Sequence, residues 1–304
     1  MWGPVPLQIV TDSRLSLWVH AARPRTLPAA AAPVLVGSGL AAGDDVFRWD
    51  AFVAALVGAL AIQVAANFAN DASDGARGAD PPDRVGPRRL VADGTVSLRQ
   101  MWIATALAVL VASLCGVWLI QIAGWWVAVI GIVSILAMLT YVGGPIPYGY
   151  KGLGEVVVFV FFGLVATVGS RFVHDMTAPR DAWIAAVPMG MLAAAILVAN
   201  NRRDIDTDAR AGKRTLAVIL GRERTATLYA VLTYGAFAVI ALAAVTGLTP
   251  LPTALAAFLA PFAIGPNRTI RSGVEGRALI PVLSQTARLE LWTGAVLAAA
   301  AALS

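Results

Sequence analysis

The sequence predicts an all-α, polytopic membrane protein of about nine transmembrane helices. Three observations carry this. The 304 residues are 58% hydrophobic and only 13% charged, where soluble domains carry roughly a quarter charged residues. The few charges are clumped, leaving apolar runs of about 20 residues, long enough to cross a lipid bilayer as helices. The basic residues are also segregated. Of the 23 Lys and Arg, all but Arg48, Arg171 and Arg180 fall on the N-terminus or on the loops after every second span.

The expected spans run over roughly 24–42, 51–71, 99–121, 124–142, 153–174, 182–203, 224–246, 250–266 and 287–304. The first begins after Arg23 and Arg25 and is followed by further spans, so it reads as a membrane helix and not as a removed leader. The second ends in the polar stretch "NFANDASDGARGAD" and the sixth in "NNRRDIDTDARAGK". Pro and Gly punctuate the joints at "IAGWW", "GGPIPYGYKG", "TGLTPLP" and "AIGPNR". The positive-inside rule puts the N-terminus and the charge-rich loops in the cytoplasm and, with nine spans, the C-terminus outside.

A net charge of +5 would suit a nucleic-acid ligand, but the basic residues lie between apolar segments and not along one solvated face. No nucleic-acid partner is expected. The single cysteine, Cys115, lies inside an apolar run and reads as a small core residue. His20 and His174 are well separated and suggest no metal site, and Asp44, Asp45 and Asp93 read as ordinary loop charges.

The acidic stretches carry the chemistry. Continued as a helix, Asn67, Asn70, Asp71 and Asp74 share one face, and so do Asn200, Asp204 and Asp208. Carboxylates stacked at membrane depth repel one another and need a cation. Oxygen donors without His or Cys suit a hard ion, Mg²⁺ in particular, and Mg²⁺ usually completes its shell with substrate phosphates. The flanking Arg77, Arg84, Arg88, Arg89, Lys213 and Arg214 would clamp a diphosphate. The two stretches form a faint repeat leaving the membrane on one side, so the acidic segments are expected to face each other.

In these residues the chain resembles the UbiA superfamily of intramembrane prenyltransferases. The usual first motif there is Asn-x3-Asp-x3-Asp. Asn70 and Asp74 match it, but Gly78 holds the third position and Asp80 follows two residues later. That variant, "NDASDGARGADPPDRVGPRR", is similar to the 1,4-dihydroxy-2-naphthoate polyprenyltransferase branch of the menaquinone pathway. "RPRTLPAAAAPVLVG", "YVGGPIPYGYKGLGEVVVFVFFG" and "NNRRDIDTDARAGKRTLAV" agree with the same branch. The resemblance covers residues 23 to about 225.

The resemblance implies one transmembrane domain over 1–304 in the cell (inner, cytoplasmic) membrane. Its helices would surround a polar central cavity, open sideways to lipid and capped by cytoplasmic loops at about 71–98 and 200–223. It implies that Asp71, Asp74 and Asp80, with Asp204 and Asp208, hold Mg²⁺ and diphosphate alongside Asn70. Arg84, Lys213 and Arg214 would touch the diphosphate. Asp71, Asp74, Asp204, Asp208 and Lys213 are thus the catalytic candidates. Asn67, Asn70, Arg84, Arg88, Asn200 and Arg214 are the candidates for binding the donor. Tyr141 and Tyr148 either line the ring pocket or stabilise an allylic cation through their faces, or are interfacial anchors, and Lys151 either pairs with an acceptor carboxylate or reports topology. The implied partners are a polyprenyl diphosphate and 1,4-dihydroxy-2-naphthoate, joined with loss of CO₂ and diphosphate to give demethylmenaquinol. A hydroxybenzoate, homogentisate or glycerophosphate acceptor is the neighbouring alternative within the superfamily. A secondary transporter is the alternative outside it.

Overall fold

The computed structural model describes residues 13–78, 85, 86, 88–144 and 147–304, and these contain helices and turns but no strand. Asp80 and Arg84 lie outside the described residues. A short amphipathic α1 (Arg14–Ala22), N-capped by Ser13, leads through a 3₁₀ turn into α2 (Leu27–Gly43). α3 (Trp49–Ala76) is 28 residues long, about 42 Å at 1.5 Å per residue. It therefore carries its acidic C-terminal end beyond a hydrocarbon core of about 30 Å. α4 (Leu98–Ala123) starts with a capping box in which the Ser97 hydroxyl accepts from the Gln100 amide while Gln100 accepts from the Ser97 N–H. α5 (Trp126–Val142) returns it.

The fifth expected span is one rod of three segments: α6 (Gly154–Val158), a π-helix at Phe159–Val165, and α7 (Ala166–Asp175). Next come α8 (Arg180–Arg203), the short α9 (Ile205–Arg210) and α10 (Leu216–Val245), which kinks at Gly221. The eighth expected span, 250–266, is mostly a 3₁₀ run at Leu251–Ala263 before α11 (Ile264–Arg271). Pro252 and Pro261 lack the N–H groups that a regular α ladder needs. α12 (Ile280–Ala302) closes the chain. Among the described residues six helical segments are long and apolar enough to cross a membrane, and α5 is a shorter apolar helix.

Small residues set the packing, as expected where lipid offers no hydrophobic drive between helices. α2 lies against α12 so closely that a Cβ on Gly39 would stand 2.5 Å from the Ala298 backbone. The π-helix meets α8 in the same way, through Gly163 and Gly190. α3 packs on α4, and α8 on α10. At the end opposite the acidic motifs, buried Arg171 pairs with Asp44 and Asp175, both at 2.6 Å. Asp44, expected as a plain loop charge, is therefore half of a latch between α2 and α7. The buried His174 ring accepts from the Arg48 N–H at 2.9 Å and lies 3.1 Å from the Ser38 hydroxyl, so it belongs to the same latch.

Candidate active site

A cavity of about 430 Å³ runs down the bundle, within the usual range for a ligand site. On α3 its lining extends from Ala54 to Asp74, twenty residues or about 30 Å, so it follows most of the depth of a bilayer core. The lining changes character along that length. At the charged end stand Asn67, Asn70 and Asp74 of α3, Asn200 and Asn201 of α8, Asp204, Asp208, Arg89 and Lys213. Further down it is apolar, with Ala59 and Ile62 of α3, Gly116 and Leu119 of α4, Ile130 of α5 and Phe162 of the π-helix. α5 and the π-helix both line this shaft.

Asp74 is the hub. It is 2% exposed, and its Oδ2 lies 3.1 Å from an Arg89 nitrogen and 3.2 Å from Lys213 Nζ. The Tyr150 hydroxyl donates to Oδ1. Burial, with Asp74 beside it, pushes the Tyr150 hydroxyl well above its ordinary value, so it stays a donor. Lys213 Nζ also sits 4.9 Å over the Tyr150 ring. Its placement is a matter of local backbone. α9 ends at Arg210, Gly212 takes φ +73, and the Lys213 N–H returns to the Asp208 carbonyl at 2.8 Å. This is the αL ending of a helix, which turns the chain back towards the cavity. Asp204 caps the end of α8, and both its oxygens are held by Arg203, at 2.8 and 2.5 Å. Arg203 also donates to Asn200 Oδ1 at 2.9 Å.

The remaining expected residues divide. Asp71 does not line the cavity: its two oxygens accept the backbone N–H groups of Leu90 and Val91, at 3.0 and 3.1 Å. It stands about 100° round the helix from Asn70, so it faces the loop. Its role is to hold that loop, and with it Arg89, over the site. Asn67 lines the cavity with its amide spent on Ala22 O and Thr26 Oγ1, at 2.9 and 3.0 Å. Arg88 pairs with Asp93 on the surface and does not line the cavity. Lys151 and Arg214 are exposed and stand outside the lining. The Arg214 N–H donates to the Tyr150 carbonyl at 3.0 Å, which ties the two loops together. Tyr141 and Tyr148 both line the cavity with rings 5.4 Å apart, edge to face. The Tyr148 hydroxyl donates to Ala137 O at 2.7 Å, and burial pushes its pKa up to about 12.

Of the basic residues expected to clamp a diphosphate, Arg89 and not Arg88 meets Asp74. Residues that sequence reading left aside also belong here. Tyr150 and not Lys151 turns inward, because the 3₁₀ turn Tyr148–Lys151 rotates each residue by about a third of a turn. Arg23, expected to report topology, lines the cavity, as do Thr26 and Gln63.

The site can be tested for a divalent ion on its donors alone. Among the described residues no three carboxylate, imidazole or thiol groups form a metal cluster of their own. The lining does gather hard oxygens from Asp74, Asp204, Asp208 and Asn200, and the buried Asn70 Oδ1 has no hydrogen-bond partner. Such a set fits an ion that takes one or two carboxylates and completes its shell with ligand phosphates.

The UbiA prenyltransferase family profile matches residues 30–275. Over 93% of this chain and 96% of its own, the 1,4-dihydroxy-2-naphthoate octaprenyltransferase of Mycobacterium tuberculosis is 42% identical. The Escherichia coli protein of the same name is 34% identical over 92% and 93%. Among solved structures, a UbiA homolog from Archaeoglobus fulgidus bound to GPP and Mg²⁺ superposes with TM-score 0.66 at 16% identity, covering 92% of this chain and 99% of that one. A UbiA homolog from Aeropyrum pernix K1 gives 0.68 at 16% identity, covering 91% and 96%. These two establish a shared fold.

Proposed function

The chain belongs to the UbiA prenyltransferase family, and from that premise we propose that it transfers a polyprenyl chain from an allylic diphosphate to 1,4-dihydroxy-2-naphthoate. Full-length relatives named for that acceptor, at 42%, 40% and 34% identity, favour it over a hydroxybenzoate, homogentisate or glycerophosphate. The observation that carries the reading is the cavity itself. Acid and cation groups stand at one end of an apolar shaft about as deep as a bilayer core is thick. A transporter would need charged or strongly polar groups along the path, whereas below its mouth this shaft is lined mainly by apolar residues, with the hydroxyls of Ser134 and Ser170 among them.

The chemistry follows from the groups present. The allylic C–O bond breaks, and its electron pair leaves with the diphosphate. Arg89 and Lys213, already held at Asp74, are within reach of that negative charge and lower the barrier by opposing it. Asp74, Asp204 and Asp208, with Asn70, would hold Mg²⁺, which when bound neutralises the diphosphate further. The apolar shaft excludes water from the allylic cation, and the faces of Tyr141 and Tyr148 favour positive charge beside them. The ring carbon bearing the carboxylate forms the new C–C bond. Loss of CO₂ returns the electron pair to the ring and gives a prenylated naphthoquinol, demethylmenaquinol. No covalent enzyme intermediate is needed.

On this reading the charged end faces the cytoplasm, where a soluble naphthoate is made available, and the protein resides in the cell membrane. The test is a panel of acceptors offered to the purified protein with one prenyl diphosphate, with Mg²⁺ and with EDTA. Prenylation of the dihydroxynaphthoate, lost in EDTA and restored by Mg²⁺, is the expected outcome. A preference for hydroxybenzoate or full activity in EDTA would overturn the acceptor or the metal assignment respectively.

A further inference from the structure

Behind the tyrosine pair lies a carboxylate that the transfer chemistry does not use. Glu155, the second residue of α6, is 6% exposed. Its Oε1 accepts a 2.9 Å hydrogen bond from Asn201 Nδ2, and its Oε2 is buried without a partner. Asn201, in the last turn of α8, is also 6% exposed and lines the cavity next to Asn200. The preceding Gly154 is wedged into the same wall. A Cβ there would stand 3.1 Å from Leu197 and 3.4 Å from the Tyr141 hydroxyl, both residues of the cavity lining. Glu155 thus holds Asn201 directly and follows a glycine wedged against Tyr141 and Leu197, three residues of the cavity lining.

A carboxylate has only lone pairs to offer, so it takes the NH₂ end of the Asn201 amide and fixes which way the amide stands. The carbonyl oxygen is then the end turned to the cavity. Without Glu155 the amide could turn over and present donors in its place. Burying a carboxylate with one oxygen unpaired is costly, and an apolar side chain would fill the same space more stably. That part of the wall sits at the polar end beside both tyrosines, away from the α3–α4 wall of the apolar shaft. An aromatic ring lodged there with its hydroxyl towards α8 needs an acceptor at that point.

We propose that Glu155 is a positioning residue for the acceptor ring: by holding the Asn201 amide nitrogen it presents the Asn201 carbonyl oxygen as a fixed hydrogen-bond acceptor for an aromatic hydroxyl. This rests on the acceptor reading above and deepens it. The device distinguishes a hydroxylated ring from one lacking the hydroxyl, since a buried carbonyl left unpaired penalises the wrong ligand.

The test is steady-state kinetics of Glu155→Gln, Asn201→Ala and the double variant, with thermal unfolding in detergent as the check on folding. A Gln at 155 pairs with Asn201 in either orientation, so the direction is lost. The Michaelis constant for dihydroxynaphthoate should rise about tenfold in each single variant, as for one lost hydrogen bond, with that for the prenyl diphosphate unchanged. The double variant should match the singles, because both act through one bond. An unchanged acceptor constant, equal rises for both substrates, or a hundredfold effect in the double variant would overturn the proposal. Should Glu155→Gln fail to fold, Asn201→Ala alone decides on the same two constants. A wild-type protein that does not prenylate dihydroxynaphthoate would refute the acceptor reading itself, which is a different result from normal turnover with unaltered variants.

Discussion

Asp74 carries more of the site than any other side chain, because Arg89, Lys213 and Tyr150 all converge on its two oxygens. Asp74→Asn should therefore reduce turnover by about 10² to 10³-fold while the protein still unfolds cooperatively in detergent; near-normal turnover would remove Asp74 from the chemistry. Tyr150→Phe deletes one donor to the same carboxylate and leaves the ring under Lys213. It should cost about tenfold in kcat/KM, and an unchanged value would make the tyrosine a mere packing residue. These two predictions mark what could be read in advance. Asn70, Asp74, Asn200, Asp204 and Asp208 were legible because helical spacing alone puts each set on one face. Tyr150 was not, and Arg89 was named only among four flanking arginines, with nothing to single it out. Each sits in a loop or a 3₁₀ turn, where no period of 3.6 tells inside from outside, and each is turned inward by a partner distant in sequence.

At the level of elements, Asp71 shows what a face argument misses. A stripe of polar residues about 100° wide can serve two neighbours, and here one edge meets the cavity while the other holds the loop. Asp71→Ala would leave the Leu90 and Val91 N–H groups without their acceptor. It should destabilise the protein by about 2 kcal/mol and speed proteolysis between α3 and α4. Loss of activity with loop protection unchanged would instead return Asp71 to the active site. The nine expected spans each overlap a helical segment, since a run of apolar residues between Pro and Gly is a strong signal. The π-helix in the fifth was hidden because the change from α to π geometry leaves composition untouched. It follows instead from the close approach of Gly163 to Gly190. The α2–α12 contact is equally demanding: Gly39→Val drives a side chain into the Ala298 backbone. It should lower stability by about 3 kcal/mol, read as a fall in the detergent-solubilised melting temperature.

Taken as a whole, the molecule joins two solvents. Its charged end gathers carboxylates, guanidinium groups and Lys213 at one end of the cavity, and the rest of the lining is mainly apolar, as the proposed transfer of a long apolar tail requires. The Arg171–Asp44–Asp175 latch binds the far ends of α2 and α7 together. The all-helical class and the charge asymmetry were legible from the sequence, whereas the count of nine was not: among the described residues six segments are long and apolar enough to cross a membrane. The depth of the shaft was not, because it depends on small residues from several helices meeting in space. The measurement that tests the account most directly is mass spectrometry of the product made from dihydroxynaphthoate, a polyprenyl diphosphate and Mg²⁺. The account predicts one prenyl chain added and the carboxyl group gone, with Asp74→Asn yielding about 10² to 10³-fold less of that mass in the same time. A prenylated product that keeps its carboxylate, or no prenylated naphthalene at all from active wild-type protein, would contradict it.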